Sequence, residues 1–133
     1  MVREAIFTDK APKPVGPYSQ AILVNGWIFI AGQIPLDPDS GRMVEGDFES
    51  QVRRVLDNIK SIVESAGGSM DDLVRVTVYL RDLSRFDEFN RIYKEYFKEA
   101  YPARVVVGVS GLPKGAEIEV DAIGYISKGK GGD

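Results

Sequence analysis

Two short runs near the C-terminal end, each apolar at every second position, constrain the fold of this chain most. Residues 102–109 place three valines on one face and Arg104 on the other. Residues 117–122 place three apolar side chains on one face and three carboxylates on the other. The carboxylates are those of Glu117, Glu119 and Asp121. Because two glycines and a proline lie between the runs, they are predicted to form a β-hairpin.

The same alternation predicts that Arg104 and the three carboxylates lie towards one side of the sheet. Strands hold side chains in fixed positions, which a binding or catalytic site requires. A guanidinium can grip a ligand carboxylate through two parallel hydrogen bonds, and a nearby glutamate can hold a water molecule for attack. From the pattern alone, an ordinary surface ion pair on a solvated face remains open as the alternative interpretation.

Two amphipathic segments are predicted to be helices. Residues 47–66 repeat apolar side chains at helical spacing, with Asp47 suited to cap the start and Gly67 the end. Residues 86–100 carry an aromatic stripe that is predicted to pack in the core. Further strands are predicted at residues 4–8, 20–24, 27–31 and 73–80.

These elements predict an α+β fold, a six-stranded mixed sheet with two helices packed on one face. Asn25-Gly26 between two apolar runs predicts a tight hairpin turn, because both turn positions need a positive φ. The sheet face away from the helices has no cover within the chain. Such a face favours oligomerisation.

Composition limits the chemistry. The chain has 133 residues, with residues 1–126 predicted to be one domain and the Gly- and Lys-rich residues 127–133 a disordered tail. It has no cysteine and no histidine, which excludes thiolate and imidazole chemistry. We predict no metal or cofactor, because no ligand cluster, phosphate loop or dinucleotide fingerprint is present. A net charge of -3 argues against nucleic-acid binding, and with no bilayer-length apolar run or signal segment we predict a cytoplasmic protein.

Four groups of residues, in order along the chain, match the motifs of a known family. They are Gly16-Pro17-Tyr18-Ser19-Gln20-Ala21, then Ala31-Gly32-Gln33-Ile34-Pro35, then residues 76–83 with Phe86 and Asn90, and finally Pro102-Ala103-Arg104 with Leu112-Pro113-Lys114 and Ile118-Glu119. Together, over about residues 5–126, they resemble the Rid family (reactive intermediate deaminase, also called YjgF-like). The ordered set is far more specific than any one motif.

The resemblance implies a chorismate-mutase-like fold, a homotrimer, and ligand pockets between subunits. It also implies hydrolysis of enamine and imine acids, such as 2-aminoacrylate and 2-iminobutanoate, to 2-oxo acids and ammonium. Two other interpretations stay open. The same pocket could bind 2-oxo acids as a sensor without turnover, or the protein could bind or cleave RNA, which the acidic charge and missing histidine disfavour.

The resemblance also assigns roles to individual residues. It makes Arg104 the clamp for the substrate carboxylate, Glu119 the group that positions or deprotonates water, and Tyr18 the residue that closes the pocket. It implies that Gly32 supplies backbone contacts and that Asn90 lines the wall. Val106 stands where many family members carry Cys, Thr or Ser, so the pocket is expected to be more apolar and the substrate range altered.

Overall fold

A computed structural model of the chain describes residues 2–127; the predicted tail lies outside them except for Ser127, which belongs to no helix or strand. The described part contains six strands and two α-helices. In chain order they are β1 (Glu4–Ile6), β2 (Ala21–Val24), β3 (Trp27–Gln33), α1 (Phe48–Ser65), β4 (Leu73–Leu80), α2 (Phe86–Tyr93), β5 (Ala103–Gly108) and β6 (Ile118–Tyr125). None of the described helices is both long and apolar enough to cross a bilayer.

The strands form one mixed sheet in the order β1-β2-β3-β6-β4-β5. Strand β5 pairs in parallel with β4, and the other neighbours are antiparallel. The predicted hairpin of the last two strands is therefore wrong, because β4 lies between them. Residues 109–117 cross the roughly 10 Å of two strand spacings instead of turning tightly.

Local signals in the sequence explain the elements that were predicted well. Asn25 has φ 51° and Gly26 φ 86°, so both hairpin positions are left-handed as expected. The Asp47 carboxylate accepts a hydrogen bond from the Ser50 backbone N–H at 2.9 Å and caps α1. Helix α2 is shorter than predicted: after Tyr93 the chain makes one 3₁₀ turn, is extended at Phe97 and bends at residues 98–100 before β5.

Both helices pack on one face of the sheet. A single apolar core joins α1 and α2 to the inward side chains of β3, β4 and β6. Among its fully buried members are Ile28, Leu56, Ile59, Leu80, Phe89, Ile92 and Ile118. Each such side chain contributes about 1.5–3 kcal/mol through burial, so this layer fixes the sheet against the helices.

The other sheet face, which we call the open face, carries no helix among the described residues. Large apolar side chains are exposed on it, and those on the sheet strands include Trp27, Phe29, Val105, Val107 and Tyr125. Trp27 and Tyr125 lie opposite each other in register and stack edge to face at 5.0 Å. The prediction of one uncovered face is confirmed for this part of the chain.

Candidate functional site

Arg104 lies on the helix side of the sheet, and not on the face of the carboxylates as predicted. Its position on β5 is opposite Val76, a buried core residue of β4, and Val106 two positions later packs against the core. Glu119 lies on the open face, opposite Tyr79 of β4. Because β5 carries valines on both faces, its alternation alone could not identify the inward side.

Three aromatic rings surround the Arg104 guanidinium. Its central carbon lies 5.7 Å from the ring centre of Phe86, 5.6 Å from that of Phe89 and 4.9 Å from that of Tyr93. These cation–π contacts hold the side chain in place. Arg104 makes no hydrogen bond or ion pair with any residue from 2 to 127. Its N–H groups are therefore free to bind an anion.

A cavity of about 490 Å³ opens beside this guanidinium; it is lined by Asn90, Tyr93, Lys94, Tyr101, Pro102 and Arg104. Within the described chain, two buried polar atoms of its lining have no hydrogen-bond partner, Asn90 Oδ1 and Tyr93 Oη. Burial raises the pKa of Tyr93 to about 12, so its hydroxyl keeps its proton at neutral pH. An unpaired buried polar group costs about 1–3 kcal/mol, which a ligand with matching groups would offset.

A second group of predicted residues comes together on the open face. Tyr18, Gly32 and Glu119 line a cavity of about 270 Å³ with neighbouring apolar residues. Tyr18 is placed by the loop before β2, where its hydroxyl accepts a hydrogen bond from the Val15 backbone N–H at 3.2 Å. Gln20 fixes the start of that loop through hydrogen bonds to three of its carbonyl groups.

The structure gives a physical reason for a glycine at position 32, which the sequence alone did not. The pairing of β3 with β6 shifts register between Ile30 and Gln33, a bulge of the kind often found beside active sites. At this bulge the Glu119 carboxylate lies directly against the Gly32 α-carbon, where a β-carbon would collide with Glu119 Oε2. The missing side chain at Gly32 makes room for the carboxylate.

Glu119 is suited to take up a proton. It is partly buried and makes no hydrogen bond or ion pair with another residue of the described chain. Burial raises the pKa of the Glu119 carboxyl, and the charge of Asp121 raises it further. A carboxylate whose pKa is moved towards neutrality is a better general base.

The predicted site residues thus form two halves that do not meet within one chain. Asn90 and Arg104 belong to the cavity on the helix side, which we call the clamp half. Tyr18, Gly32 and Glu119 belong to the open-face cavity, which we call the carboxylate half. The two lie on opposite faces of the sheet, with β4 between β5 and β6.

Sequence reasoning missed several lining residues. Tyr93 was assigned to the core stripe of the second helix, and it is indeed buried, but its ring also packs on Arg104. Its spacing of three from Asn90 was a usable signal, since residues three apart share a helix face. Nothing in the local pattern distinguishes Tyr101 and Lys94 from ordinary surface residues.

Comparison with known proteins gives consistent matches over almost the whole chain. The sequence profile described as Endoribonuclease L-PSP matches residues 8–126. A RutC family protein of Pyrococcus abyssi is 58% identical over 125 residues, which cover 94% of this chain and 98% of that protein. The human protein named 2-iminobutanoate/2-iminopropanoate deaminase is 44% identical over 123 residues, covering 92% of this chain and 90% of the human one. The crystal structure of RidA from an Antarctic Psychrobacter superposes with a TM-score of 0.89 at 46% identity, covering 92% and 99% of the two chains.

Proposed function

The chain belongs to the Rid family, whose profile is described as Endoribonuclease L-PSP, and on that premise we propose that it hydrolyses 2-imino and enamino acids to 2-oxo acids and ammonium. 2-Iminobutanoate carries one carboxylate next to an electrophilic C=N carbon. The enamine 2-aminoacrylate acquires such a carbon when its methylene carbon takes up a proton, which gives the protonated imine. The human relative at 44% identity is named for this class of substrate. The observation that carries the proposal is the unpaired Arg104 guanidinium in a cavity of suitable size.

Arg104 is the proposed clamp for the substrate carboxylate. Its planar fork can make two charge-assisted hydrogen bonds, and the rings around it limit its rotation. Asn90 Oδ1 is an unpaired acceptor in the same cavity and suits an N–H group of the substrate. Val106 follows on the same strand face against the core, so it offers an apolar surface and no hydroxyl.

Glu119 is the proposed base. Water adds to the protonated imine: its oxygen bonds to C2, the C=N electron pair passes to nitrogen, and one water proton passes to Glu119. Glu119 then returns that proton to nitrogen, the C–N bond breaks, and the remaining hydroxyl proton leaves with the departing ammonia as ammonium. Orientation does most of the work, because such substrates already hydrolyse in water.

The two halves require a second subunit to meet. We propose a closed homotrimer in which the clamp half of one subunit faces Tyr18, Gly32 and Glu119 of the next. Exposed apolar side chains on the open face, among them Phe29 and Val105, support burial of that face against other copies. The arrangement also explains how Arg104 and Glu119 could act together although they lie on opposite faces of the sheet in one chain.

Two further functions remain as alternatives to test. A 2-oxo acid sensor would use the same clamp without turnover. The family profile's description as an endoribonuclease keeps RNA cleavage in consideration, although the net charge of -3 gives no basic surface signal.

A coupled assay tests the proposal. Threonine dehydratase generates 2-iminobutanoate in the presence of the purified protein, and release of 2-oxobutanoate is followed against time. We expect release to accelerate in proportion to protein concentration. Binding of 2-oxobutanoate with no acceleration would favour the sensor, and cleavage of single-stranded RNA under the same conditions would favour the nuclease.

The control for this assay is Arg104→Lys, which keeps the charge and loses the planar fork. We expect more than roughly tenfold loss of acceleration, since one charge-assisted hydrogen bond contributes about 1.5–3 kcal/mol. Thermal unfolding should change little, because the guanidinium makes no ion pair within the described chain. Early melting together with lost activity would make Arg104 structural.

Gly32→Ala tests the close approach of the carboxylate. The new β-carbon would displace Glu119, so we expect at least about tenfold lower kcat/KM, because a misplacement of about 1 Å in a catalytic group can cost about 10²-fold. Gly111→Ala is the matched control, because nothing lies within 4 Å of its β-carbon position. Equal rates for both variants would show that Glu119 tolerates displacement and would weaken its role as base.

A further inference from the structure

Asp121 and Tyr79 form a pair next to Glu119 that the proposed mechanism does not use. The Tyr79 hydroxyl donates a hydrogen bond to Asp121 Oδ2 at 3.0 Å. Binding to Asp121 is the main reason that the pKa of Tyr79 is raised, so the hydroxyl remains a donor at neutral pH. The hydrogen bond joins β4 to β6 and fixes the Asp121 carboxylate.

Sheet register places this pair beside the base. Tyr79 lies opposite Glu119, and Thr77 lies opposite Asp121. The Tyr79 side chain therefore reaches diagonally to Asp121, past its direct neighbour Glu119. All three side chains project from the open face, because positions of equal parity on a strand share a face. The Asp121 carboxylate is thus anchored by Tyr79, whereas the Glu119 carboxylate makes no hydrogen bond with another described residue.

Several charged and titratable side chains lie around Glu119 on the open face. They are Glu117 just before β6, Asp121 on β6, Tyr79 on β4, Arg81 just after β4, and Tyr18 in the loop before β2. Strand β3 contributes Gly32. Glu117 forms an ion pair with Arg81 at 3.4 Å, whereas Asp121 forms no ion pair with a described cation. In the proposed trimer, Arg104 of a neighbouring subunit would add a charge that every variant below retains.

We propose that Asp121, anchored by Tyr79, is a positioning residue whose fixed negative charge makes Glu119 the group that accepts the proton of the attacking water. The proposal rests on the proposed function. Two carboxylates two positions apart on one strand face lie about 7 Å from each other, close enough to interact at a partly buried site. When two neighbouring carboxylates have different surroundings, they can take different roles. Here Asp121 is the anchored charge and Glu119 is the proton acceptor.

Asp121→Asn tests this directly. The amide keeps the shape and can still accept the hydrogen bond from Tyr79, so only the charge is lost. Without that charge Glu119 ionises more easily, and its pKa falls. The acidic limb of the kcat/KM profile should therefore move to lower pH, and the rate at neutral pH should fall several-fold because Glu119 is then a weaker base.

A second readout needs no turnover. ¹³C NMR of the glutamate carboxyl carbons follows the titration of Glu119, whose signal is assigned by its absence in Glu119→Gln. We expect the Glu119 midpoint to move to lower pH in Asp121→Asn and in Asp121→Ser, a second neutral variant should the first fold poorly. Glu117→Gln is the matched control and should move the midpoint less, because its exposed charge is already paired with Arg81.

The proposal is overturned if both neutral variants keep the wild-type acidic limb and the wild-type NMR midpoint. It is equally overturned if Glu117→Gln moves the midpoint as far as Asp121→Asn, since a general loss of negative charge would then explain the shift. A protein that lacks deaminase activity but shows the expected NMR shift would refute the proposed function and leave the coupling between Asp121 and Glu119 in place.

Discussion

Glu119→Gln is expected to lower turnover of 2-iminobutanoate by roughly 10²–10⁴-fold, the usual contribution of a general base. The amide retains the size of the side chain and its place against Gly32, but it cannot take a proton from water. Arg104 is untouched, so binding of 2-oxobutanoate, measured by titration calorimetry, should stay close to that of the wild type. The measurement is the coupled rate in the same preparations used for calorimetry.

Glu117→Gln is again the appropriate comparison, because it changes the same functional group only two positions away, just before β6. Its carboxylate is ion-paired with Arg81 and does not line the carboxylate half. Turnover in Glu117→Gln should therefore remain near that of the wild type. If Glu119→Gln keeps the wild-type rate, Glu119 has no part in the mechanism, and water must be activated by another group.

Local sequence signals predicted the elements, because each depends on a few adjacent residues. Asn25-Gly26 encodes its own turn through backbone conformations that other residues avoid. Asp47 encodes the start of α1 through a side chain that reaches the next turn of the backbone. The apolar spacing of the two helices was enough to place both on one side of the sheet.

Strand order and strand orientation could not be read in the same way. Whether β6 pairs with β4 or β5 depends on the path of the whole chain, and a loop with turn residues fits either arrangement. Strand β5 lies at a sheet edge and carries Val105 outward and Val106 inward, so its pattern is apolar on both faces. The side on which Arg104 lies is therefore decided by packing against α2, which the local pattern does not contain.

Family resemblance selected site residues for which the sequence offered no physical reason. The structure supplies one for Gly32, the close approach of Glu119, and one for Asn90, an unpaired buried oxygen in the cavity of Arg104. It also separates the selected residues into two halves, which the motif order along the chain could not reveal. In the proposed trimer, convergence of the two halves would be a property of the assembly.

Mixing two inactive variants is expected to restore activity if the halves meet between subunits. Arg104→Ala removes the clamp and Tyr18→Ala removes a residue of the carboxylate half, and each variant alone should be nearly inactive. The two are refolded together in equal amounts. A site then works when one subunit supplies Arg104 and its neighbour supplies Tyr18, which random mixing in a closed ring achieves for roughly a quarter of sites. The measurement is the coupled rate per subunit, with mixed assemblies confirmed by mass spectrometry and light scattering.

A complementary mixture makes the result quantitative. Wild-type chains refolded with equal amounts of the Arg104→Ala/Tyr18→Ala double variant should retain about a quarter of active sites if sites are shared in a closed ring, and about a half if each chain builds its own. The shared-site proposal thus predicts equal activity from the two mixtures. Without shared sites, the mixture of the two single variants would show no recovery. The mixture of wild type and double variant would then keep about half of the wild-type activity per subunit. That pair of results would refute the trimeric site while leaving hydrolysis of imino acids unaffected.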